Sequence, residues 1–148
     1  MQKLVASPQQ SVPFLGKNLP PAPKGDARRL RQLLADLGSD SFALRQKAYD
    51  QLAKEGAEAE DTLQEALAGK PSLELRRRVG DLLDKLEEAR REISSDDVRV
   101  IRAVQVLETI GSPEARQVLK RLSAGAGGAL RTREARTALR RLERKASK

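Results

Sequence analysis

The stretch LRQKAYDQLAKEG, Leu44–Gly56, returns as RVIRAVQVLETIG, Arg99–Gly111, 55 residues further on. Ala48, Tyr49 and Leu52 fall on Ala103, Val104 and Leu107, spaced to line one side of a helix. Each stretch stops at a glycine, Gly56 and Gly111, the residue that closes a helix in the left-handed conformation without steric cost. The same shift carries Leu63 and Leu67 onto Val118 and Leu122, and a shift of 56 carries Val79, Leu82, Leu83 and Leu86 onto Ala135, Ala138, Leu139 and Leu142. Chance aligns some Leu and Ala positions in so Leu-rich a chain. It less readily reproduces helix order and glycine stops together. The pattern predicts a duplicated three-helix unit whose stacked copies bury stripes that neither copy buries alone.

Working outward, about seven helices are expected. Asp26 caps the first, with Leu30, Leu33, Leu34 and Leu37 inward and Gly38 as its stop. Asp40 or Ser41 opens the second, with Leu44, Ala48 and Leu52 on one face. The third runs over about residues 57–68, with Ala59, Leu63, Ala66 and Leu67 inward and Gly69 beyond its end. Pro71-Ser72 starts a long fourth, with Leu75, Val79, Leu82, Leu83 and Leu86 on its stripe. Ser95 caps the fifth, with Asp96 and Asp97 favoured by the helix dipole in its first turn. Ser112-Pro113-Glu114 opens the sixth, carrying Ala115, Val118, Leu119 and Leu122. A loose loop, SAGAGGALR, then leads to Thr132 as cap of the seventh. No segment alternates with period two, so the fold class is all-α. The expected organisation is a Pro-rich lead-in over 1–25 with one short helical turn, anchored by Phe14 and Leu15, and a single helical domain over 26–148.

The composition excludes several chemistries. With no Cys and no His, the chain has no disulfide, thiolate nucleophile, His-metal ligation or Ser-His-Asp catalysis. Three aromatics, Phe14, Phe42 and Tyr49, leave the core to Leu, Ala, Val and Ile. No cofactor motif is found: Gly125, Gly127 and Gly128 lack the Lys and hydroxyl residue of a phosphate-binding loop. No apolar run approaches the ~20 residues of a membrane span, and the first residues contain no leader-like apolar core. A cytoplasmic chain is expected.

Arg45, Ala48, Leu52 and Gly56, then Ala59, Leu63 and Leu67, then PSLELRRRVGDLLDKL, resemble HEAT-type helical repeats. Residues 26–142, with SVPFLGKNLPPAP ahead of them, more closely resemble the helical regions that follow WD40 propeller repeats in planctomycete proteins. The resemblance implies an α-solenoid-like accessory domain without catalytic activity, whose partner is another protein or an adjacent propeller. It also implies that Asp40 and Arg45, at the positions of the Asp and Arg that tie neighbouring HEAT repeats, perform that role. In the second copy Arg99 replaces Leu44 and the arginine moves to Arg102, so the tie is not repeated.

The net charge of +8 lies at the ends: residues 1–25 hold +3, residues 131–148 hold +6, and the stretch between is nearly balanced. On a helical wheel Arg133, Arg136, Arg140 and Arg144 share an arc of about 80°, opposite Ala135, Ala138, Leu139 and Leu142. This row is the candidate site for an anionic partner, nucleic acid included, and supplies the alternative to a protein-binding scaffold. A plain solvated face is its bland counterpart. Arg76, Arg77 and Arg78 fan around their helix and are expected to pair with acids such as Glu74 or Asp81. The acidic pairs Glu60-Asp61, Glu87-Glu88 and Asp96-Asp97 are adjacent in sequence and point about 100° apart on a helix, so none forms a facing dyad. No catalytic, metal or cofactor residue is assigned.

Overall fold

The computed structural model describes residues 2–146 and is predominantly helical, with nine α-helices among them rather than about seven. They are α1 (Gln2–Ala6), α2 (Pro8–Asn18), α3 (Ala27–Leu37), α4 (Phe42–Glu55), α5 (Glu60–Ala68), α6 (Leu73–Ala89), α7 (Ser95–Ile110), α8 (Pro113–Ser123) and α9 (Leu130–Ala146). The two additional helices, α1 and α2, lie in the lead-in, where one short turn was expected. Pro8 occupies the first turn of α2, where its missing N–H costs nothing, and Pro13 sits inside the helix. The chain divides into two compact units, a central one over 23–92 and a terminal one formed by 1–22 with 93–148.

In the central unit, α3 to α6 enclose Leu30, Leu33, Leu37, Ala48, Leu52, Ala59, Leu63, Val79 and Leu82. Asp26 caps α3 as expected, its carboxylate accepting from the N–H groups of Arg28 and Arg29 at 2.9 and 3.2 Å. Such a cap contributes about 1 kcal/mol. Ser72 caps α6 through the Leu75 N–H. Leu44, expected on the inward stripe of α4, is 47% exposed. Gly56 ends α4 at a positive φ of +56°, as a glycine stop requires, but with ψ −126° and not the left-handed helical geometry. At Gly69 φ is not positive: the positive φ at this turn falls on Lys70, at +55°.

Gly80, in the middle of α6, would be explained by close approach of a neighbouring helix, but a Cβ there meets nothing within 4 Å. Gly80→Ala therefore gains helix propensity without a clash and is expected to stabilise the chain by up to about 1 kcal/mol. Chemical denaturation reads this as a raised midpoint with an unchanged slope; a lowered midpoint would mean the site is closed.

In the terminal unit, Val12 and Leu15 of α2 join Val104, Val106, Leu107, Ala115, Leu119, Leu122, Ala135, Ala138 and Leu142 in one core. Leu15 is the anchor expected of it, whereas Phe14 is 59% exposed. The cap of α7 is Ser94, one residue earlier than expected. Its hydroxyl accepts from the Asp97 N–H at 3.1 Å while the Asp97 carboxylate accepts from the Ser94 N–H at 2.9 Å. The Ser94 hydroxyl also donates to that carboxylate at 2.8 Å, and the bonds from the Ser94 N–H and hydroxyl hold the Asp97 carboxyl below the usual carboxylate range. Gly111 closes α7 at φ +60° and Ser112 caps α8 through the Ala115 N–H.

The glycine-rich stretch after α8 is not the loose connector that its composition suggests. Gly125, Ala126 and Gly128 are buried, and a Cβ on Gly125 would lie 2.8 Å from the Ala22 backbone. The Ala126 N–H donates to the Ala22 carbonyl, and Arg131 donates to the Pro20 carbonyl at 3.0 Å. Close packing against the strap over 19–22 selects glycine here. Thr132, expected as a cap, is instead fully buried within α9, with no hydrogen-bond partner for its hydroxyl.

Candidate functional site

The burial of Ala135, Ala138 and Leu142 turns the opposite side of α9 outward. Arg136, Arg140 and Arg144 are exposed on that side, at intervals of one turn. Arg133, the fourth member of the expected row, is half-buried, with its Nε enclosed and unpartnered. The Nε of Arg136 donates to the Ser123 carbonyl at the end of α8, 3.1 Å away, which ties the side chain to the α8–α9 edge. Arg140 reaches the Thr137 hydroxyl at 3.3 Å. None of the three forms an ion pair among the described residues.

Other bases of α9 act as internal fasteners. Arg141 grips Glu108 of α7 with a bidentate pair of bonds at 2.9 and 2.8 Å. Those bonds raise the Arg141 pKa above the ordinary guanidinium value. Arg131 holds the strap at Pro20, and Arg121 of α8 donates to the Gly16 carbonyl. These partners lie 33, 111 and 105 residues apart in sequence, and no local pattern signals them.

The charge separates by unit. The terminal unit carries 15 Lys and Arg against 6 Asp and Glu, a net +9, whereas the central unit carries 14 against 15. The basic excess of the chain thus belongs to the compact unit that includes α9.

The remaining polar clusters have structural uses. Arg78 pairs with Glu74, as expected, and donates to the Leu37 carbonyl at 3.2 Å; Arg76 and Arg77 are exposed. Arg45 binds the carbonyls of Ser39 and Asp40 at 2.9 and 2.6 Å and lies over the Phe42 ring. Its tie to Asp40 therefore runs through the backbone of its own loop. Glu60 and Glu87 both pair with Arg90, and Asp96 pairs with Arg99.

Two open grooves lie on the surface of the described residues. One of about 1000 Å³ lies between α2 and α8 in the terminal unit, with Pro8, Val12, Pro13, Val118, Lys17 and Arg121 among its lining residues. The other, about 450 Å³, lies between α3 and α4 in the central unit, with Leu33, Leu44 and Ala48 among mixed charges. No helix among the described residues is long and apolar enough to cross a membrane.

In comparisons with protein families, with curated proteins and with solved structures, the chain matches none.

Proposed function

We propose that the chain is a non-catalytic helical-repeat module that acts by presenting helical surfaces to another protein. What carries the reading is a correspondence of burial. Ala48, Leu52, Leu63, Val79 and Leu82 are buried in the central unit; their counterparts Ala103, Leu107, Val118, Ala135 and Ala138 are buried or half-buried in the terminal unit. This correspondence supports reading the two units as related copies, and a lack of His and Cys leaves little for chemistry.

The central unit offers the surface best suited to a protein. Phe42 is 72% exposed and Leu73 83% exposed. They start α4 and α6, and Leu75 lies beside Gly38 in the α3–α4 turn, so both apolar residues stand at one end of the unit. Large apolar side chains of this kind are the anchors that dominate protein interfaces. With the chain as bait in a nuclease-treated extract, a protein is expected to be retained in stoichiometric amount, and Phe42→Asp with Leu73→Asp is expected to reduce its retention at least tenfold. Retention of no protein, or retention untouched by both substitutions, would contradict the proposal.

A further inference from the structure

Independently of the protein-binding reading, we infer that the outer face of α9 is a docking surface for the sugar-phosphate backbone of a nucleic-acid duplex. Arg136, Arg140 and Arg144 recur every four residues, so their attachment points advance by about 6 Å and span about 12 Å. A run of this length meets two or three neighbouring phosphates of a strand. Arg is also the side chain whose planar fork matches a phosphate with two parallel bonds. The three guanidinium groups are exposed and lack carboxylate partners among the described residues, so binding need break no internal ion pair. The net +9 of the terminal unit adds a long-range attraction that the balanced central unit does not supply.

What the face lacks narrows the partner. Among the described residues the large exposed apolar side chains of the terminal unit are Leu4, Phe14 and Ile93, none of them on α9. A protein interface would be expected to have an apolar anchor near its centre; a phosphate backbone needs none. Insertion into a bilayer requires a free apolar face, and that of α9 is consumed in the core. No aromatic residue occurs in α9 to stack an unpaired base, which favours a duplex over a single strand and makes the contact indifferent to sequence.

The test is a salt titration of the purified full chain with a fluorescent DNA duplex of about 20 base pairs. Two or three phosphate contacts at about −0.9 each predict a log–log slope of roughly −2 to −3. Arg136→Gln, Arg140→Gln and Arg144→Gln together are expected to weaken binding at least tenfold and flatten the slope. The corresponding triple Lys variant keeps both within about threefold, and Arg76→Gln with Arg77→Gln changes neither. Circular dichroism confirms that the variants are folded. The inference is overturned if the duplex does not bind, if the glutamine variant binds as tightly as the parent, or if a polyglutamate peptide or phosphatidylserine vesicles bind as strongly as the duplex.

Discussion

Leu107→Ala is expected to lower the stability of the chain by about 2–5 kcal/mol, the range for removing a buried leucine from a core that cannot fully collapse. Leu107 is wholly buried on α7, in the core that α7 shares with α2, α8 and α9. For a chain of this size the loss corresponds to a fall in melting temperature on the order of 10 °C. Its counterpart Leu52, equally inaccessible on α4, is expected to cost a similar amount in the central unit. Phe42→Ala, at an exposed position, is expected to stay within about 0.5 kcal/mol of the parent. Thermal and chemical denaturation check all three. Equal, small effects at Leu107 and Phe42 would show that the aliphatic stripes do not form the cores described.

Arg90→Ala is the second large effect. Glu60 is only 7% exposed at the start of α5, and its carboxylate is paired with Arg90, the residue that follows α6. Arg90 also bonds Glu87 at 2.9 Å, and Gln64 donates to Glu60 Oε1 at 3.1 Å. Removing the guanidinium leaves Glu60 with Gln64 in place of a cation. Breaking a buried pair from one side costs about 3–5 kcal/mol, and Gln64 places this case near the lower figure. Glu60→Leu combined with Arg90→Leu removes both charges together and is expected to recover most of the loss. A double variant as unstable as Arg90→Ala would mean that the arginine acts through its stem and not through its charge.

The arginine shows how far the sequence could be read. Its partner lies 30 positions away, and Glu60 next to Asp61 invites attention as an acidic pair, not as half of an ion pair closing one unit. Helix periodicity, by contrast, was legible: the Leu, Val and Ala positions of α3 to α9 fell largely on the faces that are buried, because a period of 3.6 is written in every turn. The caps at Asp26, Ser72 and Ser112 were legible for the same local reason. The lead-in departs from its sequence pattern because proline content argues for extended chain, while Pro8 at a helix start is compatible with α2 and the burial of Val12 and Leu15 favours it. The glycines at 125 and 128 read as flexibility, yet the buried loop needs Gly125 for its contact with Ala22, which lies more than 100 residues earlier. Of the four arginines proposed as a site, three occupy the expected open face. Arg133 departs because the wheel gives direction only and not the depth of the neighbouring surface.

Amide hydrogen exchange on the full chain tests most directly whether two aliphatic cores, one of them completed by the first 22 residues, hold this protein together. The slowest amides are expected within Phe42–Glu55, Leu73–Ala89, Ser95–Ile110 and Leu130–Ala146, with measurable protection over Pro8–Asn18 where Val12 and Leu15 are buried. Unprotected amides over Pro8–Asn18, or protection that ignores the burial of Leu52 and Leu107, would contradict the account.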